Sequence, residues 1–155
     1  MKKFQKLFGV APLGFTSGMI LFGLLWLLDR ALDHAAIMND PWVPRLIGLI
    51  LIVLWICWHT WCLRTIRTWW KFDQLCTKGP YRFVRHPIYS GVLWGCGIGF
   101  ALLFNSWILL PGPFLCYPLW SVLVRKEEKM METVFGETYK QYASRTGKLF
   151  PKLFI

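Results

Sequence analysis

What this 155-residue chain lacks first is a polar stretch long enough to fold by itself in water. Four apolar runs dominate it, over roughly 13–32, 43–63, 88–104 and 107–124. Each is near the ~20 residues that cross a hydrocarbon core, the third being short. The segments between them are too small for a separate soluble domain, so any chemistry belongs at a membrane surface. Acidic residues are scarce, eight against 18 Lys and Arg. No CxxC pair occurs among the five cysteines (57, 62, 76, 96, 116), and four of them fall in apolar runs; this argues for free thiols and against a disulfide frame. His34, His59 and His86 lie far apart without ligand-like spacing to Cys or carboxylate, so no metal site is expected. Ser90 and Ser121 lack a nearby His–acid arrangement, which argues against a serine hydrolase. The run Gly95-Cys96-Gly97-Ile98-Gly99 sits inside an apolar stretch and follows no strand, so a dinucleotide fold is excluded and close helix packing explains it better. No small-residue cleavage site follows Met1-Lys2-Lys3, so the first helix is expected to be retained.

What is present is 55% hydrophobic and 17% aromatic composition with ten Trp, too apolar for a small soluble domain. The expected fold is all-α: an integral membrane helical bundle of about four transmembrane helices plus a cytoplasmic C-terminal amphipathic helix. Runs three and four are joined by Asn105-Ser106 and read as a tight hairpin, with a kink or late helix start at Pro111 and Pro113. Only Arg30 and Arg45 lie at the first inter-helix loop, beside Asp29, Asp33 and Asp40; the other 16 basic residues lie on the opposite side. The positive-inside rule makes that side cytoplasmic. The net charge of +10 then reads as topology plus attraction to anionic lipid. Nucleic-acid binding is set aside, because the basic residues are split among three segments that flank spans. Trp55, Trp58 and Trp61 followed by Arg64 form an interfacial belt, and Arg64–Lys71 is expected to continue as a helix outside the bilayer. Gly14, Gly18 and Gly23 permit close helix approach. Residues 1–12 read as a basic surface lead, and Lys148–Ile155 as a tail suited to lying on lipid.

Two polar clusters break this pattern. Gly79-Pro80-Tyr81-Arg82-Phe83-Val84-Arg85-His86-Pro87-Ile88-Tyr89-Ser90-Gly91 precedes the third run, and Arg125-Lys126-Glu127-Glu128 ends the fourth. A residue before Pro avoids the α region, so His86 should be extended and Pro87 should open the helix. That places His86, Ile88 and Tyr89 around a helix N-terminus, where free N–H groups favour anions. Gly136 is placed as a helix stop, with Glu137–Arg145 a short amphipathic helix carrying Tyr139 and Tyr142 on one side.

Taken together, GPYRFVRHPIYSG over 79–91, EEKMMETVFGETYKQY over 127–142 and the late Pro151 resemble the isoprenylcysteine carboxyl methyltransferase family. Its wider group includes the membrane phospholipid N-methyltransferases. The resemblance covers about 75–151. It implies a single membrane-embedded domain over 1–155, with the cofactor site in 73–151. It also implies S-adenosyl-L-methionine, bound without a Rossmann domain between the loop before the RHPxY motif and the acidic helix. By position, Gln74, Leu75, Cys76 and Tyr81 would line the adenosine side, and His86, Pro87, Ile88 and Tyr89 would wrap the cofactor. Glu127 would meet its amino or ribose end, with Glu128 beside it; Arg85, His86 and Glu128 would be the catalytic set. Eukaryotic members carry an Arg about one turn before the acidic pair, where this chain has Leu123.

The implied reaction is in-line methyl transfer to a lipophilic small-molecule or lipid acceptor that enters from the bilayer. A carboxylate or thiolate acceptor needs no base; an amine would use Glu128 or His86. The implied location is a prokaryotic plasma membrane, with both termini and the active site cytoplasmic. Alternatives are a phospholipid or small-thiol methyltransferase of the same group, an NADPH-dependent enzyme like the sterol reductases, which share a related RH-x-x-Y region, or a non-enzymatic protein that binds anionic lipid.

Overall fold

The computed structural model describes residues 11–70 and 74–152. Most of the expected basic lead, and Leu153 to Ile155 of the tail, lie outside the described residues. Within them the chain is helical, with no β-strand: α1 (Ala11–Ala31), α2 (Trp42–Trp70), α3 (Pro87–Leu103) and α4 (Gly112–Arg145). A 3-10 turn at Gly79–Arg82 precedes α3, and α3 widens into a π turn over Gly91–Cys96. Two helices are long and apolar enough to cross a membrane, over Pro12–Ala31 and Trp42–Trp69; Pro87–Leu103 is a shorter apolar helix.

Two boundaries sharpen the sequence reading. The last helix starts at Gly112, because residues 107–111 form turns. Pro111 and Pro113 have no N–H to donate and suit only the first turn, so the helix begins where they stand. α2 runs unbroken to Trp70, so the segment from Arg64 continues the helix as expected.

Glycine lets the bundle close. A Cβ on Gly48 of α2 would lie 2.5 Å from the Leu103 nitrogen and 2.6 Å from the Gly99 oxygen, so the backbones of α2 and α3 touch. Gly95 faces Trp55, and Gly97 faces Pro113 and Phe22. The glycine run of α3 therefore packs against three helices. Of the three α1 glycines Gly14 lies under the Trp120 ring, whereas Gly18 and Gly23 meet nothing within 4 Å among the described residues. Gly18 borders an apolar cavity between the helices, and Gly23 is on the exposed face of α1 with Ile20 and Leu24. Tyr89, Leu93, Cys116, Trp120, Val124 and Leu149 form the buried core, and Trp120 stands edge-on to Phe15 at 5.4 Å.

Each end of the bundle is tied by polar contacts. At one end Asp29, 2% exposed, accepts hydrogen bonds from Ser106 Oγ at 2.6 Å and His34 Nδ1 at 2.7 Å. The Asn105 side chain bonds both the N–H and the carbonyl of Met38, joining the first loop to the α3–α4 turn. At the other end the chain after α4 returns to the corner before α3, where Arg85 N–H donates to the Gly147 carbonyl at 2.8 Å and His86 N–H to the Lys148 carbonyl at 3.2 Å.

Candidate functional site

The corner before α3 is fixed by its sequence. Pro87 opens the helix and keeps His86 out of the α region, at φ −123° and ψ 65°. The corner's own N–H groups then have no helical acceptor, and the returning strap over 146–149 supplies carbonyls to them. The tail, expected to lie on lipid, instead packs on the protein here. Leu149 is buried, its carbonyl accepts from Ser90 Oγ at 2.8 Å, and Phe150 lies 4.3 Å from the Trp94 ring.

The opposite wall comes from α4, whose middle brings Glu127 and Glu128 against this corner. Gly136 then breaks the helix at φ 55°, ψ −129°, a conformation that side chains resist. The expected stop is there, and the resumed helix carries Tyr139 and Tyr142 back over the site. Tyr142 Oη donates to the Tyr81 carbonyl at 2.6 Å.

The two polar clusters meet. Tyr89 Oη donates to Glu127 Oε1 at 2.9 Å. Arg85 Nε donates to Glu128 Oε1 at 2.8 Å, and its Nη1 donates to the carbonyls of Ala143 and Thr146. Lys148 Nζ stands 3.0 Å from Glu128 Oε2. His86 lies between the carboxylates, with Nδ1 3.6 Å from Glu127 and Nε2 3.5 Å from Glu128, too far for good hydrogen bonds. Its ring stacks on Tyr89, centroids 5.9 Å apart.

Burial and charge separate these groups. Burial pushes the Glu127 carboxyl up, the bond from Tyr89 pulls against this and the neighbouring Glu128 charge adds to it, leaving it at about 7. Burial would also raise Glu128, but His86, Lys148 and Arg85 around it hold it at about 2. Burial lowers the His86 imidazole below its ordinary value, against the pull of Glu128. Burial raises the phenols of Tyr81, Tyr139 and Tyr142, which stay neutral at neutral pH. Adjacent carboxyls with such different proton affinities belong to functional sites more often than to plain surfaces.

A cleft opens between the walls. Its interior holds about 90 Å³, and its open mouth brings the empty space to about 720 Å³. Of the residues singled out from sequence, Gln74, Leu75, Cys76, Tyr81, Arg85, His86, Pro87, Ile88, Tyr89 and Glu127 all line it. Glu128 stands behind the wall, turned to Arg85 and Lys148. Ile66, Met131, Tyr139 and Tyr142 complete the lining without having been singled out. The Tyr pair was legible as one helix face. Lys148 carried no sequence signal, because its partner lies in another element. Two buried atoms at the cleft, His86 Nε2 and Tyr139 Oη, have no hydrogen-bond partner among the described residues.

Tyr89 also touches Trp120, 4.5 Å away, and Trp120 lines a second, apolar cavity of about 470 Å³. Phe15, Phe22, Trp55, Leu93, Phe100 and Cys116 line it from all four helices. One aromatic contact therefore separates a polar cleft from an apolar chamber.

The family model described as phospholipid methyltransferase matches residues 43–138. The cobalt-zinc-cadmium resistance protein CzcN of Cupriavidus metallidurans is 31% identical over 124 residues, 76% of this chain and 55% of that protein. A probable protein-S-isoprenylcysteine O-methyltransferase of Oryza sativa subsp. indica is 32% identical over 79 residues, 50% of this chain and 41% of that protein. Protein-S-isoprenylcysteine O-methyltransferase B of Arabidopsis thaliana is 29% identical over 82 residues, 52% of this chain and 41% of that protein. The chain spans about half the length of the curated relatives it matches.

Proposed function

Because the chain belongs to the phospholipid methyltransferase family, we propose that it transfers a methyl group from S-adenosyl-L-methionine to a lipophilic acceptor within a membrane. In this reading all four helices cross the bilayer and form one domain over 1–155. The cleft, within 73–151, faces the cytoplasm, the side that carries most of the basic residues. The observation that carries the reading is the meeting of the Arg85-His86-Pro87 corner and the Glu127-Glu128 pair in one cleft, joined by the Tyr89–Glu127 bond of 2.9 Å.

The residues fit such a cofactor. Its cationic sulfonium and ammonium suit Glu127 and the rings of Tyr81, Tyr89 and Tyr139. The interior of about 90 Å³ is below the ~300–1,000 Å³ typical of ligand sites, so a nucleoside-sized guest also occupies the mouth between Gln74 and Tyr142. When bound, the cofactor supplies an electrophilic methyl group. The protein aligns donor and acceptor, which can lower the barrier by several kcal/mol.

In this reading the residues divide the labour as the family resemblance implies. Gln74, Leu75, Cys76 and Tyr81 hold the adenosine side. Pro87, Ile88 and Tyr89 form the helix-start wall, and Glu127 meets a polar end of the cofactor. Glu128 is not free to act as base: its anion is spent on Arg85 and Lys148, which makes it the anchor of the corner and the strap. The acceptor's tail lies in the 470 Å³ apolar chamber and its head passes the Tyr89–Trp120 contact into the cleft.

Purified protein incubated with radiolabelled S-adenosylmethionine and total lipid extract should label a lipid-phase product, and Glu127→Ala should abolish the labelling. Thermal stabilisation by NADPH, with none by adenosylhomocysteine, would refute the reading in favour of a reductase.

A further inference from the structure

We infer that Lys148 is a positioning residue of the cleft: from the strap it holds and balances Glu128, so that Glu127 faces the cofactor as a carboxylate free to take its cation. The inference rests on the methyltransferase reading above. It adds to that reading a residue that does not line the cleft and works through another side chain.

Glu127 and Glu128 are neighbours on α4 with different surroundings. Glu127 lines the cleft and accepts from Tyr89 Oη at 2.9 Å. Glu128 stands behind the wall, and its two oxygens are divided between two cations. Oε1 takes Arg85, whose Nη2 is 2.7 Å away, and Oε2 takes Lys148 Nζ at 3.0 Å. Arg85 is shared, because its Nη1 also donates to the carbonyls of Ala143 and Thr146. Lys148 Nζ pairs with Glu128 alone among the described residues.

The strap keeps its place without that ammonium. The Gly147, Lys148 and Leu149 carbonyls accept from Arg85 N–H, His86 N–H and Ser90 Oγ. Leu149 is buried, and Lys152 Nζ donates to the Ser144 carbonyl at 2.5 Å. Main-chain bonds and a buried Leu therefore seat the strap, and the Lys148 side chain is left to act on Glu128.

Charge carries that action into the cleft. Glu127 is faced by Tyr89 from α3, by His86 Nδ1 at 3.6 Å from the corner and by Glu128 from its own helix; Tyr139 of the resumed helix lines the same cleft. Of these, the Glu128 charge opposes ionisation of Glu127, and Arg85 and Lys148 are the cations that balance it. Glu127 stands at about 7, so it is close to half ionised at neutral pH, and a small change in this balance alters the charge that meets a cationic guest. Without Lys148 one Glu128 oxygen loses its cation, the two carboxylates repel more strongly, and Glu127 keeps its proton to higher pH. The guest's cation then loses its partner.

The test uses the full chain in nanodiscs. In cofactor-free protein, the infrared carboxyl band that Glu127→Gln removes reports Glu127 directly. Lys148→Met should move its titration up by about one pH unit, Lys148→Arg should restore it, and Glu128→Gln should move it down. In Lys148→Met/Glu128→Gln it should lie at or below the wild-type position, because the ammonium acts by balancing the Glu128 charge. Calorimetric titration with adenosylhomocysteine, whose amino group is cationic, should follow the same curve. Affinity should rise as pH climbs through about 7 in wild type; Lys148→Met should bind about fivefold more weakly at neutral pH and recover to within about twofold by about pH 8.5. A Glu127 titration that Lys148→Met leaves in place, or a loss of affinity equal at every pH, overturns the inference. If Glu127 titrates as stated but wild type binds no adenosylhomocysteine at any pH, the methyltransferase reading falls instead.

Discussion

Replacing Arg85 with Met tests the architecture of the site. Arg85 joins three parts of the chain: the corner before α3, the acidic pair of α4, and the end of α4 with its strap. The substitution keeps the apolar stem and removes the donors. Two bonds to neutral carbonyls are lost, at about 1 kcal/mol each, and one charge-assisted bond to Glu128, at about 1.5–3. Lys148 remains 3.0 Å from Glu128 and offsets part of the loss. The expected destabilisation is about 3 kcal/mol, near the low end for breaking a buried pair from one side. Equilibrium unfolding in mixed detergent micelles, followed by tryptophan fluorescence, would measure it. Glu128→Leu on the Arg85→Met background should recover more than 1 kcal/mol, because it removes the carboxylate left behind, giving a coupling energy of about 2 kcal/mol. An Arg85→Met loss below about 1 kcal/mol, or strictly additive single and double variants, would refute the reasoning, since the bridge would then not hold these segments together.

Three further outcomes follow from the same geometry. Glu127, raised from 4.5 to about 7, keeps a proton in the folded state that the unfolded chain releases; stability should therefore fall as pH rises through that window, and Glu127→Gln should remove up to about 3 kcal/mol of this slope. His86 works in the opposite sense: its lowered value means that stability is lost as pH falls below about 6.5, and His86→Gln should remove that loss in an unfolding series. Gly48→Val should force α2 from α3, because a Cβ would already lie 2.5 Å from the Leu103 nitrogen; a melting temperature unchanged from wild type would contradict the packing described.

Local features were the most readable in sequence. The helix start at Pro87 and the break at Gly136 are imposed by proline and glycine themselves, and both stand where the residues place them. The glycine run of α3 was readable as a packing face for the same reason. Two of the α1 glycines misled, because small size permits close approach without supplying a partner; Gly18 and Gly23 have none among the described residues. The strap was hidden for a different reason. Lys148, Leu149 and Phe150 look like surface anchors when read alone. Their place is set by the unpaired N–H groups of Arg85 and His86, some sixty residues earlier, and by the Glu128 charge. The different fates of Glu127 and Glu128 were likewise unreadable in the pair itself. They arise from Tyr89 on one side and from Arg85 with Lys148 on the other.

Calorimetric titration of the purified chain with adenosylhomocysteine tests the central claim most directly. The account predicts saturable one-to-one binding that Glu127→Ala removes while its melting profile stays cooperative. Heats no different from dilution, from protein that still melts cooperatively, would contradict it.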